Sequence, residues 1–232
     1  MKYTIFFLLF ITQLNFCFQD SLKIKSFEIF KSNEDTSLYV KIIYPQIIYP
    51  SNYKIQEKIN ETLKNQFLTS LGFYEDFSSD PENFSYHPSE LRIYMETNFR
   101  IGYVGKEFIS LILDHDEYTG GAHGNNHSIG LNFSLSDGEL LKLSDFIKEN
   151  QLRNLSLFCE QEILEIYKVE SLEEVLFEDV INLTGEQDFY IKPNNLIIQF
   201  DPYEIGPYYL GSIEIELSFD RIKNLLKPGI KF

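Results

Sequence analysis

The chain has 232 residues and a mass of 27.3 kDa, 44% of them hydrophobic and 16% aromatic, which excludes an intrinsically disordered polymer and leaves room for one or two domains with a core. A formal net charge of −15 denies it the basic surface that phosphate backbones require, so nucleic acid is excluded as a partner. The same charge favours a basic partner, although solubility alone accounts for it.

Met1-Lys2-Tyr3-Thr4 precedes the apolar run of residues 5–11, a basic residue followed by a stretch too short to cross a bilayer, which is the pattern of a secretory signal peptide. We place that signal at residues 1–19 and expect the mature chain to be exported: periplasmic, extracellular or lipid-anchored at the envelope. Cys17 stands where a lipoprotein carries its lipid, but bulky Phe16 precedes it, so simple cleavage near residues 17–19 is favoured. Removing residues 1–19, which hold one Lys and no acid, leaves 19 basic against 35 acidic side chains, a net charge of −16. With Cys17 removed or lipidated, Cys159 stands alone and is expected as a small buried residue on a helix. No later apolar segment reaches membrane-spanning length, so no transmembrane span is expected in the mature chain.

Residues 22–30 and 37–44, rich in Ile, Phe, Tyr and Val, read as strands that Pro45 and Pro50 then interrupt. From Asn52, the apolar Ile55, Ile59, Leu63, Phe67 and Leu71 recur at four-residue steps and predict an amphipathic helix lying across a sheet. A polar loop over 75–89 carries His87. Residues 91–103, 107–118 and 127–135 then predict three successive strands, an antiparallel meander. The last alternates, with Ile129, Leu131, Phe133 and Leu135 facing a core and Gly130, Asn132, Ser134 and Ser136 facing water. The turn Ser136-Asp137-Gly138-Glu139 leads to a helix start at Ser144-Asp145, and helices are expected over 151–167 and 172–181. Strands over 189–191, 196–200 and 212–218 and a short helix over 220–226 complete the chain. Strands and helices come in separate runs, which predicts an α+β fold of antiparallel sheets with packed helices in two small lobes, residues 20–118 and 119–232.

Two loops concentrate chemistry. Tyr118-Thr119-Gly120-Gly121-Ala122-His123-Gly124-Asn125-Asn126-His127 lies just after Asp114-His115-Asp116-Glu117. Two readings stand open for it. In the favoured one, Gly120 and Gly121 supply positive φ for a turn while His123 and the Asn amides satisfy backbone groups. In the alternative, His115, Asp116, His123 and His127 converge on an open catalytic zinc site and the protein is a metal-dependent hydrolase acting on cell-wall glycan. The second loop, Asp201-Pro202-Tyr203-Glu204-Ile205-Gly206-Pro207-Tyr208-Tyr209, sets rings and carboxylates between two prolines; it either presents them to a sugar or a partner or covers the core. No carboxylate pair stands apart as a glycosidase pair, and no nucleophile elbow supports a Ser-His-Asp triad. An enzyme is therefore disfavoured, no catalytic residue is assigned, and no cofactor is required outside the zinc alternative.

The hairpin 118–124, the segment 132–146 (Asn-Phe-Ser-Leu-Ser-Asp-Gly-Glu-Leu-Leu-Lys-Leu-Ser-Asp-Phe) and the loop 200–208, taken in that order and spacing, resemble the extracytoplasmic domain pair of the RsiV/PdaC type, domain of unknown function 4163 followed by domain of unknown function 3298. The match spans nearly the whole mature chain; its first half corresponds loosely, while the three motifs of the second half are specific in combination. The resemblance implies an envelope binding or sensing module, with a cell-wall-acting protein such as lysozyme or a peptidoglycan-type glycan as partner. The cytoplasmic segment and membrane span of the anti-sigma factors and the Thr-Phe-Asp-Asp deacetylase motif are missing from this sequence, so sigma-factor control and deacetylation are not carried over. Tyr118, Gly120, Gly121, His123, Asn125, Asp201, Tyr203, Glu204 and Tyr208 are the candidate binding residues.

Overall fold

The computed structural model describes residues 22–34, 36–79 and 92–230. The expected signal segment, Cys17 and His87 lie outside the described residues. The chain forms two units, Met1–Phe99 with Leu113–Asn126 and Arg100–Ile112 with His127–Phe232. Strands β3 (Ile93–Val104) and β4 (Phe108–Tyr118) contribute residues to both. The units thus interleave along the chain, because each long strand is shared.

In the first unit, β1 (Lys23–Ser32) pairs antiparallel with β2 (Leu38–Ile48). Strand β2 continues through Pro45, where a break is expected from the sequence. Its pairing with β3 ends at Ile42, so the missing N–H of Pro45 leaves no ladder partner on that edge. Helix α1 (Tyr53–Leu68) follows, with Asn52 Oδ1 accepting from Ile55 N at 3.3 Å as its cap. The four-step stripe Ile55, Ile59, Leu63 and Phe67 is buried, and each such side chain contributes about 1.5–3 kcal/mol of burial. Asn60 ties α1 to β2, its Oδ1 accepting from Ile47 N at 2.7 Å and its Nδ2 donating to Ile47 O at 2.8 Å. Helix α2 (Ser70–Ser79) runs into the segment expected as loop. The β2–β3 pair is parallel, Leu38 opposite Ile93 and Ile42 opposite Thr97, a departure from the all-antiparallel expectation. The helical connection between these strands provides the crossover that a parallel pair needs.

Strand β5 (Asn125–Ser134), which belongs to the second unit from His127 on, pairs with the short β6 (Leu140–Leu141). Helices α3 (Leu143–Phe146) and α4 (Leu152–Tyr167) precede an antiparallel sheet of β7 (Phe189–Lys192), β8 (Asn195–Phe200) and β9 (Ile213–Ser218), closed by α5 (Phe219–Ile222). Central strand β8 is apolar on both faces: Leu196 and Ile198 join the core with α4 Leu155, Cys159 and Ile163, while Ile197 meets Ile112 and Tyr190. Strand β9 alternates, burying Ile213, Ile215 and Leu217 and exposing Glu214 and Glu216. Burial pushes the Cys159 thiol up to about 12, as suits a packed, unreactive residue.

Two expectations fail here. Residues 172–181 form a 3-10 turn (Leu172–Glu174) and irregular chain rather than an α-helix, because their backbone donors are taken by tertiary acceptors. Phe177 N donates to Ile205 O and Ile181 N to a Glu160 carboxylate oxygen, and just past the segment Leu183 N donates to Ser156 Oγ. The polar face of β5 is not wet either. Asn132 is fully buried, its Nδ2 donating to Phe189 O at 2.8 Å, and a Cβ on Gly130 would collide with that same Phe189 carbonyl. The backbone of β7 covers this face, which explains why it carries a glycine and an amide instead of bulk.

Candidate functional site

The first candidate loop belongs to the first unit. Gly120 and Gly121 sit at φ 99° and 105°, a left-handed conformation that favours glycine, and the Tyr118 hydroxyl donates to Gly121 O at 2.8 Å. A Cβ on Gly124 would lie 2.9 Å from Glu117 O, so this position too needs a bare backbone. His123 Nδ1 lies 2.8 Å from Gly124 O; since a carbonyl only accepts, the proton of that contact sits on Nδ1. The Tyr118 ring closes an aromatic row across four strands, Phe30 to Tyr39 at 5.8 Å, Tyr39 to Tyr94 at 5.5 Å and Tyr94 to Tyr118 at 6.3 Å, cross-strand contacts that brace the base of the turn. His123 and Asn125 are exposed at its tip.

The four residues of the zinc alternative, His115, Asp116, His123 and His127, are not grouped as a metal site. Among the described residues no three His, Cys, Asp or Glu side chains are placed to hold a metal ion. His115 Nδ1 bonds Thr97 Oγ1 at 3.1 Å, and that hydroxyl also bonds buried Ser70 Oγ at 2.7 Å. Asp116 accepts from the Tyr94 hydroxyl at 3.3 Å, His123 turns to its neighbouring carbonyl, and His127 belongs to the other unit. His115, Asp116 and His123 each answer a local hydrogen-bonding demand.

The second candidate loop links β8 to β9 in the second unit. Asp201 caps its start, accepting from Ser128 N at 3.0 Å, while Asp201 N donates to Glu204 Oε2 at 2.8 Å. Gln187 Nε2 donates both to Glu204 Oε1 and to Gln199 O, each at 2.9 Å. Both carboxylates are thereby braced. Tyr203 holds φ 70°, a conformation costing a bulky residue about 1–2 kcal/mol, and it packs on Tyr208 at 5.4 Å between centroids. The loop neither hides its rings nor leaves them slack: Tyr203 is 55% and Tyr209 76% exposed. Exposed Phe177 adds a third ring to the same loop system through its amide bond to Ile205 O.

Three residues in or near this loop are not among the candidate binding residues taken from the sequence. Burial, with the nearby Asp201 and Glu204 carboxylates adding to it, pushes the Asp188 carboxyl up to about 6. Gln199 is 1% exposed, with its Nε2 on Ser128 O and its Oε1 without a partner among the described residues. A glutamine inside the apolar run Leu196-Ile197-Ile198-Gln199-Phe200 is a legible sign of a buried polar demand. Tyr209, the most exposed large ring of the loop, is the third.

Residues 31–126 match the family described as deacetylase PdaC, and residues 144–220 match a family of unknown function, DUF3298. Over 184 residues the chain is 23% identical to the peptidoglycan-N-acetylmuramic acid deacetylase PdaC of Bacillus subtilis, covering 77% of this chain and 39% of that protein. The chain thus spans well under half of that relative. Crystal structures of DUF3298 family proteins share the fold: one from Bacteroides fragilis has a TM-score of 0.69 at 18% identity, over 90% of this chain and 94% of that one. Another, from Pseudomonas aeruginosa, has 0.68 at 15%, over 90% and 96%. Among the described residues no helix is long and apolar enough to cross a membrane.

Proposed function

We propose, for a chain that carries the PdaC-like segment followed by the DUF3298 segment, that it is an exported, non-enzymatic binding module of the cell envelope whose ligand is a peptidoglycan-type glycan. The observation that carries this reading is the braced, strained loop 201–209, which holds the Tyr203 and Tyr209 rings out to solvent beside Glu204. Rings of this kind offer an apolar face to a pyranose, and fixed carboxylates accept from its hydroxyls. The kinship with a peptidoglycan deacetylase supports the choice of glycan. Co-sedimentation with purified insoluble peptidoglycan tests it: wild type pellets with the glycan, and the Tyr203→Ala, Tyr209→Ala double variant stays in solution. Failure of the folded wild type to pellet removes the reading.

A second reading has its own observation. The net charge of −15 suits a basic cell-wall-acting protein such as lysozyme, with association that is fast and salt-sensitive. Titration against lysozyme at two salt concentrations tests this partner, and binding absent at both removes it.

A further inference from the structure

A cavity of about 400 Å³ lies between α4 and the C-terminal turn of the second unit, and its walls differ from the rest of the protein. In a chain with 35 Asp and Glu side chains, none lines it. Four carboxamides do, Gln151, Asn154 and Gln161 from the α4 side and Asn224 opposite, together with the Phe158 ring and the Arg221 guanidinium. The guanidinium lies 4.9 Å from the Phe158 centroid, its charge is met by Glu162, and it donates to Gln161 Oε1 at 3.2 Å. Asn154 Nδ2 donates to Gln151 Oε1 at 2.6 Å.

These bonds leave a defined set of groups. Nε2 of Gln151, Nε2 of Gln161, Oδ1 of Asn154 and both side-chain polar atoms of Asn224 bond to no other group among the described residues. The wall therefore offers donors and acceptors, an apolar ring and no uncompensated charge. Such a lining suits a neutral ligand that itself both donates and accepts, and its volume fits one or two pyranose rings. An acetamido group is the closest chemical match, since its carbonyl takes an amide N–H while its N–H gives to an amide oxygen.

We infer that this cavity is a second, loop-independent subsite for an N-acetylhexosamine saccharide. The inference rests on the envelope-glycan reading for the choice of sugar and on the cavity alone for its place. Isothermal titration of the full chain with the tetramer of N-acetylglucosamine tests it, with cellotetraose as the counterpart lacking acetamido groups. Saturable binding is expected, at least tenfold weaker in the Gln161→Ala, Asn224→Ala double variant and for cellotetraose. Both substituted residues are exposed, and circular dichroism confirms that the variants fold. Absence of saturable binding to wild type, binding by the double variant within twofold of wild type, or equal affinity for cellotetraose overturns the inference. Peptidoglycan co-sedimentation that needs Tyr203 and Tyr209 but is accompanied by no tetramer binding overturns the cavity and leaves the loop reading standing. Tetramer binding that tracks Gln161 and Asn224 without co-sedimentation of wild type supports the cavity and counts against the loop reading.

Discussion

Ser110 and Asn132, both fully buried, are joined by a 2.7 Å hydrogen bond from Ser110 Oγ to Asn132 Oδ1. Each then serves the backbone of β7: Asn132 Nδ2 donates to Phe189 O, and Ser110 Oγ accepts from Ile191 N at 2.9 Å. Four polar groups are thereby satisfied where no water reaches. Replacing Asn132 with Ala leaves Ser110 and Phe189 O unserved and should lower stability by about 2–3 kcal/mol, read as a shift of the urea midpoint. A Ser136→Ala control, outside this chain of bonds, should stay within about 0.5 kcal/mol; equal behaviour of the two would refute this account of the buried polar strip.

The Asp188 carboxyl, raised to about 6 chiefly by burial and then by Asp201 and Glu204, sets a pH dependence of definite sign. Its folded pKa lies above its unfolded value, so the folded state binds the proton more tightly, and stability falls as pH rises toward and through 6. Asp188→Asn should remove that slope, raising Tm at pH 7.5 while leaving it nearly unchanged at pH 4. A melting temperature that differs from wild type equally at both pH values counts against it.

Tyr203 and Tyr209 separate strain from contact. Tyr203→Gly relieves the φ of 70° and should leave stability unchanged or raise it by up to about 1 kcal/mol, since the entropy glycine adds to the unfolded chain offsets part of the relief. Tyr209→Ala, at a residue 76% exposed, should move stability by less than about 0.5 kcal/mol. Both should weaken peptidoglycan binding. Thermal melts beside co-sedimentation check the pair, and a stability loss in either variant comparable to that of a core substitution would contradict the exposed-platform geometry.

At Gly121 the backbone, not space, is the constraint: φ is 105° and nothing lies near the position a Cβ would take. Gly121→Ala should cost about 1–2 kcal/mol from conformation alone. Gly130→Ala should cost far more, because its Cβ has no room beside Phe189 O. Comparative urea titrations test the ranking, and a reversed order would contradict the packing of β7 on β5.

Cys159, 0% exposed and with its thiol raised to about 12, should react with a thiol reagent only as fast as the protein opens. Native-state modification should accelerate in urea in step with unfolding. Immediate stoichiometric labelling in buffer would show the thiol to be accessible.

Much of this was legible from local pattern. The stripe Ile55, Ile59, Leu63 and Phe67, whose expected fifth member Leu71 falls in α2 instead, the strand over 212–218 and the glycine turn at 120–121 each follow from periodicity, composition or φ preference. What escaped depends on distant partners. Whether Asn132 faces water or the β7 backbone is decided by residues 57 positions away, and the donors of Phe177 and Ile181 leave a helical ladder only because Ile205 and Glu160 are at hand. The histidines illustrate the same limit at the candidate site. Their crowding in sequence leaves a backbone-satisfying and a metal reading open, while the Thr97 hydroxyl that bonds His115 carries no signal of that role in the residues around it.

The sharing of β3 and β4 by both units bears on how such a protein can be divided and recombined. A fragment ended at Asn126 would keep residues 100–112, including Phe108, Ile109, Ser110 and Ile112, all buried in the intact chain. It would discard Asn132, Tyr190 and Ile191, which satisfy or cover Ser110 and Ile112. Such a fragment bares an apolar strand segment of the kind that drives self-association. A fusion or truncation that respects only the limit of the segment 31–126 therefore keeps both strands of the shared pair and strips residues 100–112 of their cover.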